Sequence, residues 1–414
     1  GLVTAGAGLL LMLLLHRYPL ANTLLINFNM LSALIVAGLC LWMAISAHRN
    51  RFSDSIAVAS VAQRVLLWAA TLTLLGFGFG EIDHFVAEGL KGSLSLLLAL
   101  VVLLPLIALH RRVNWAPLTQ PVLLLLPIIG FTLVIYVIRD EPLLAHYGWL
   151  IFPAAWAAWY GALRYLEKQP GYPLGALHVA SALLLTVSIG WQLSQPLSAG
   201  IWAISAWGLT FALALVAIQR LKHLGWPFQR HAATMNTLLP RILVGLLALW
   251  MVISNLQAPG SSGAIPYLPL LNPLDLTNLA AIWLIFRWLH RHDPTLITDR
   301  QLAYGLPGAL AFLWINAALL RAFHFTLDIP FRFEPMLASF AVQSGLSILW
   351  SVIGLVTMLL ATRRGWRPLW LVGGALMAVV VLKLFTVDMS GTGTIARIIA
   401  FLTVGGLLLV VGYF

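Results

Sequence analysis

Apolar residues along this chain come in long blocks rather than in alternation with polar ones, and short polar, Pro or Gly segments separate the blocks. A block of about 20 apolar residues is long enough to cross a hydrocarbon core of roughly 30 Å as a helix, whereas a strand pattern would alternate with period two. Reading from break to break predicts about fourteen spans, near 2–15, 22–47, 62–80, 92–110, 120–138, 143–163, 174–195, 199–218, 238–257, 274–290, 305–326, 336–362, 367–385 and 394–413. The expected fold class is therefore all-α, a polytopic transmembrane helix bundle forming a single domain over 1–414.

Composition sharpens this reading. Of the 414 residues 61% are hydrophobic and only 9% charged, and the mean hydropathy is +0.94. A water-soluble domain with those values would expose aggregating apolar surface. The formal charge of +11 would suggest a nucleic acid or acidic partner in a soluble protein, but here the basic residues sit in short loops on alternate sides of the spans, as membrane insertion requires. Nucleic-acid binding is not expected. Seventeen of the 24 Lys and Arg fall on one side, including Arg49, Arg111, Arg112, Arg164, Lys168, Arg220, Arg230, Arg363 and Arg364. That side reads as cytoplasmic and carries both ends of the segment, while most acids, among them Glu81, Asp83, Glu88, Asp275 and Asp388, fall on the outer side. The expected location is a bacterial inner membrane. The chain opens at Gly1 inside one apolar run and stops at Phe414 inside another, so it is expected to be part of a longer chain. The single Cys40 offers neither a disulfide framework nor a cysteine metal site, and no metal or cofactor is expected.

Five groups of residues could carry chemistry. Glu81 and His84 are three apart at the end of the third span, a spacing that suits an acid/base pair or part of a metal site, but two carboxylates and one His are a weak metal signal and a helix end reaching interfacial water is the plainer reading. Arg321 and His324 share a face of the eleventh span with Asn316 deeper. An Arg in an apolar helix is costly enough to face a cavity, an anion or a buried acid such as Asp275 or Asp388. Ser339, Gln343, Ser347 and Ser351 form a polar stripe that suits helix packing as well as a substrate. Lys383 and Asp388 precede a Ser/Gly/Thr turn that leads to Arg397. The turn offers backbone N–H groups to an anion, while a Lys–Asp pair with an N-cap is the plainer alternative. Asn272 and Asp275 flank Pro273 at a helix start, where capping alone could account for them.

The runs PLLNPLDL (Pro269 to Leu276), FLWINAALLRAFH (Phe312 to His324), SFAVQSGLSILW (Ser339 to Trp350) and VVLKLFTVDMSGTGTIARIIAFL (Val380 to Leu402) resemble the bacterial family of large predicted membrane proteins called domain of unknown function 2339. The Glu81 segment and His178 are weaker matches. The resemblance implies that Asn272, Asp275, Arg321, His324, Gln343, Trp350, Lys383, Asp388 and Arg397 belong to the family pattern. It supplies no reaction.

All of these but Trp350 map to the outer half of the membrane, where a carrier with midplane ion sites would not place them. The expectation is an outward-facing polar site for an anionic lipid-linked or glycan envelope substrate. Arg321, Lys383, Arg397, Gln343 and Asn272 would bind it, and Asp275, His324, Asp388, Glu81 and His84 are the candidate acid/base groups. The alternatives are a transporter or flippase for an envelope lipid or solute, and a non-catalytic membrane scaffold. Membrane lipid is the expected partner, and the sequence leaves the oligomeric state open. Arg321, His324, Asp275, Lys383 and Asp388 are expected to converge in one cluster.

Overall fold

A computed structural model describes residues 27–50, 56–197, 200–260, 267–291 and 300–383, with isolated positions between 398 and 409. Helices joined by turns and short loops are the regular structure of these described residues. The predicted spans at 2–15 and 394–413, and the residues Asp388 and Arg397, lie outside the described residues or among those isolated positions. The chain folds into two compact units, residues 1–195 with 224–235, and residues 196–223 with 236–414.

The first unit contains α1 (Phe28–Asn50), α2 (Ile56–Phe85), α3 (Glu88–Val113), α4 (Leu125–Ile138), α5 (Gly148–Leu166) and α6 (Leu174–Ser194). Two short 3-10 turns, Ala116–Thr119 and Pro121–Leu124, lead into α4. α3 ends where Asn114 takes a left-handed conformation and its N–H returns to the His110 carbonyl at 2.8 Å, satisfying an end carbonyl that the helix leaves free. Leu96, Leu103, Leu125, Ile129, Trp159 and Leu163 are fully buried and form the centre of one apolar core. The Trp159 indole N–H donates to Ser181 Oγ at 2.7 Å, tying α5 to α6.

The second unit contains α7 (Ile201–Leu221), α8 (Leu239–Gln257), α9 (Pro273–Arg291), α10 (Arg300–Leu327), the short α11 (Phe333–Ala338), α12 (Phe340–Arg364) and α13 (Arg367–Lys383). α7 packs on α8 and α9, α10 on α8, α9 and α12, and α12 on α13. Without a hydrophobic drive between helices in lipid, close backbone approach through small residues supplies much of the contact. At Gly208 a Cβ would come within 2.4 Å of the Trp250 ring, and at Gly373 within 2.8 Å of the Gly354 carbonyl, so these helices meet over bare backbone.

Among the described residues, nine helices are long and apolar enough to cross a membrane. The expected figure of about fourteen spans is larger. Two of its spans lie wholly outside the well-described stretches, and α5, α9 and α13 fall short of that standard. α5 is diluted by Trp149, Trp156, Trp159, Tyr160 and Tyr165, α9 by Asp275, Asn278, Arg287 and His290, and α13 is described over only 17 residues. The predicted span at 336–362 is also divided, because Ser339 has extended backbone angles between α11 and α12.

Many hydroxyl groups within the helices fold back on their own backbone. Thr71, Thr132, Ser181, Thr186, Ser188, Thr210, Ser347 and Ser351 each donate to the carbonyl four residues earlier.

Candidate functional site

In the second unit the start of α9 builds a buried polar cluster. The Asn272 side-chain oxygen accepts the Asp275 backbone N–H at 2.9 Å, which caps the helix and holds the Asp275 carboxylate in place. Arg321 of α10 donates from Nη2 to Asp275 Oδ1 at 2.6 Å and to Asn255 Oδ1 of α8 at 3.1 Å. The Trp314 indole also donates to Asp275 Oδ1, at 3.0 Å, while Asn272 Nδ2 and the Leu270 N–H donate to Oδ2. Asn255 Nδ2 reaches Asn278 Oδ1 at 2.7 Å. Arg321, Asp275 and Asn278 are 0% exposed, and Asn255 and Asn272 are buried too.

Asp275 is thus saturated with donors, but Arg321 is not saturated with acceptors. Its Nε and Nη1 are buried with no acceptor in good hydrogen-bond geometry, although the Tyr267 hydroxyl interacts with the guanidinium. The residue is roofed by Gly260, whose positive φ of 96° and missing Cβ let the backbone lie against Arg321 Cδ, and by Tyr267, which stacks on Phe325 with ring centroids 4.4 Å apart. Burial beside the Asp275 charge pushes the Tyr267 phenol up to about 12, with Arg321 opposing the shift.

The other expected site residues lie elsewhere. Lys383 ends α13 and donates to the Gln343 carbonyl and to Ser347 Oγ of α12, each at 2.7 Å. Gln343 turns its amide to the Leu337 carbonyl at 2.9 Å. His324 Nδ1 bonds the Ile329 carbonyl at 2.7 Å, which closes the turn after α10. Trp350 donates to Asn316 Oδ1 at 2.6 Å. The structure therefore brings Arg321, Asp275 and Asn272 together and gives Lys383, Gln343 and His324 separate partners.

In the first unit Glu81 and His84 take different surroundings despite their spacing. Glu81 is buried, and Asn27 Nδ2 lies 2.7 and 2.8 Å from its two carboxylate oxygens. His84 is exposed, edge-on to Phe85. Lys91 bridges Asp83 and Glu88 nearby, and Arg139 pairs with Glu88, so this end of the unit is a surface charge network. Glu81 also lines a largely apolar cavity of about 1050 Å³ between α1, α2 and α3, which Arg112 borders as well.

A second polar centre in the first unit was not foreseen as a site. Glu167 caps the end of α5, His178 lies in the second turn of α6, and His231 follows the Gly225–Gln229 turn. His231 Nε2 lies 2.9 Å and His178 Nε2 3.6 Å from Glu167 Oε1, and the Trp226 indole donates to the same oxygen at 2.6 Å. Arg230 Nη1 approaches Oε2 at 3.3 Å. Burial alone would raise the Glu167 carboxyl, but the bonds from His231 and Trp226 and the Arg230 charge outweigh it and hold the group below the usual range. The sequence expectation of no metal rested on the lone Cys40 and on the weak signal of the Glu81, Asp83 and His84 segment, and no spacing rule joins Glu167, His178 and His231.

The model of the family of predicted membrane proteins DUF2339 matches residues 2–414. The chain belongs to that family. The DUF2339 resemblance read from the Asn272, Arg321 and Gln343 segments therefore extends over essentially the whole sequence, and it establishes a multi-pass membrane protein. The comparisons with curated proteins and with solved structures give no match.

Proposed function

We propose that this DUF2339 protein binds an anionic, lipid-linked or glycan envelope substrate at the Arg321 centre, from the outer side of a bacterial inner membrane. The observation that carries the reading is the pair of unsatisfied donors on Arg321. Each buried unsatisfied donor costs roughly 1–3 kcal/mol, so anionic oxygens that reach Nε and Nη1 recover that cost on binding. These two donors lie on different edges of the guanidinium, on either side of the Nη2 that holds Asp275 and Asn255, so each offers a charge-assisted contact to a separate anionic oxygen. Asp275, held by four different donors, acts here as the group that positions Arg321 rather than as an acid or base. His324 is likewise engaged with a backbone carbonyl. The geometry favours binding over catalysis at this centre.

The test uses the protein in lipid nanodiscs and compares retained phosphatidylglycerol with retained phosphatidylcholine by native mass spectrometry. Wild type should retain the anionic lipid preferentially, and the charge-neutral double variant Arg321→Gln/Asp275→Asn should lose the preference. Equal retention by both proteins would remove the anion site. It would also favour the scaffold reading, which the complete burial of both Arg321 and Asp275 supports.

A further inference from the structure

We propose that Glu167, His178 and His231 form a binding site for a divalent transition metal ion, with Zn2+ as the reference ion. The three side chains each offer one ligand atom, and these atoms all lie within 4.8 Å of one another. Two imidazoles and a carboxylate are a donor set that suits Zn2+, whose ligand atoms at bond lengths of about 2.0–2.2 Å stand somewhat over 3 Å apart around a tetrahedron. The distances of 3.6 Å from His178 Nε2 and 2.9 Å from His231 Nε2 to Glu167 Oε1 bracket that separation.

An independent observation points to a ligand. His178 is 1% exposed, and both of its ring nitrogens lack a hydrogen-bond partner. A buried polar atom left unpaired is costly, and a histidine could find partners through either nitrogen. A metal ion between the three side chains supplies the missing partner to Nε2. A plain ion pair between protonated His231 and Glu167 accounts for the 2.9 Å contact but leaves His178 stranded.

The surroundings are those of a held ligand set. Tyr160 stacks on the His178 ring at 6.4 Å, and Trp226 meets it edge-on at 5.3 Å. The Trp226 indole fixes the Glu167 carboxylate, the kind of outer contact that orients metal ligands. The segment bearing His231 is docked tightly on α6, since a Cβ on Gly175 would come within 2.7 Å of Thr234 Oγ1. With three protein ligands, the fourth position is left for water or a small ligand, as in zinc sites that stay open.

The experiment uses the full chain, purified in detergent without a histidine tag and treated with a chelator. Metal content is measured after equilibration with Zn2+ and removal of the excess, and Co2+ is added as a spectroscopic probe. One equivalent of Zn2+ per chain and visible Co2+ bands of a four- or five-coordinate site are expected. His231→Gln and Glu167→Gln should abolish both signals, Trp226→Phe should weaken binding by roughly 10-fold or more, and Arg363→Gln, remote in the sequence and in the other unit, should leave the stoichiometry unchanged. If a variant fails to fold, the wild type still decides the matter. Its unfolding temperature should rise with Zn2+ and fall back with chelator. A folded wild-type chain that binds no Zn2+ or Co2+ above the level of the His231→Gln variant would overturn the proposal and leave the cluster as an ion pair.

Discussion

Arg321 Nη2 lies 2.6 Å from Asp275 Oδ1, and neither side chain reaches solvent. Breaking such a pair strands a charge in a low-dielectric interior, whereas removing both charges does not. Arg321→Gln or Asp275→Asn alone should therefore destabilise the folded protein by about 3–5 kcal/mol, and the double variant should cost clearly less than the sum. Thermal unfolding in detergent of the two single variants and the double variant measures the coupling. Additive losses would show that the pair contributes nothing as a pair.

Gly208 on α7 and Trp250 on α8 meet so closely that even a methyl group has no room. Trp250 cannot simply swing aside, because its indole N–H donates to the Ile204 carbonyl at 2.9 Å. Gly208→Ala should thus cost about 1–3 kcal/mol through overpacking. Gly161→Ala, at a helical glycine with open space around it, should be near neutral or slightly stabilising. Equal unfolding temperatures for the two variants would contradict this packing.

The Tyr267 phenol holds its proton to about 12 in the folded state and to about 10 when the chain is unfolded. Between those values the unfolded chain has lost a proton that the folded chain keeps, so stability falls as the pH rises through this window. Tyr267→Phe should show a shallower alkaline limb in a stability–pH profile. An unchanged slope would mean that the phenol is not buried against Asp275 as described.

The basic loops give an orientation that can be read by labelling. In a Cys40→Ala background, Glu88→Cys should react with a membrane-impermeant maleimide on intact cells, while Arg112→Cys and Arg363→Cys should react only after permeabilisation. Labelling of Arg112→Cys from outside would invert the proposed orientation and the placing of the Arg321 centre.

The helices were legible because lipid demands long apolar blocks, and the expected spans at 174–195 and 238–257 reappear as Leu174–Ser194 and Leu239–Gln257. The Ser339 break was not, since one extended residue leaves the apolar pattern intact. Arg321 and Asp275 could be paired in advance because a lone charge in an apolar helix needs an opposite one. Lys383 shows that an ammonium can also be served by a carbonyl and a hydroxyl, here those of Gln343 and Ser347, while its expected partner Asp388 lies outside the described residues. The Glu167 centre had only one sequence signal, the weaker family match at His178. His178 is eleven residues from Glu167 across a helix break, and His231 is 64 residues from it, in a loop whose course only the fold sets.

The hydroxyls that bond their own helix backbones bear on how the protein is made. A hydroxyl such as that of Thr132 or Ser188 needs no neighbouring helix to accept its proton, so it does not by itself hold its helix back from leaving the translocation machinery. α10 differs, because Arg321 has no acceptor within its own helix. The chain is synthesised from its N-terminus, so Asn255 and Asp275 are already in place when Arg321 emerges. That order of arrival lets a guanidinium enter lipid with its counter-charge waiting, and reversing the order of these helices along the gene would strand it.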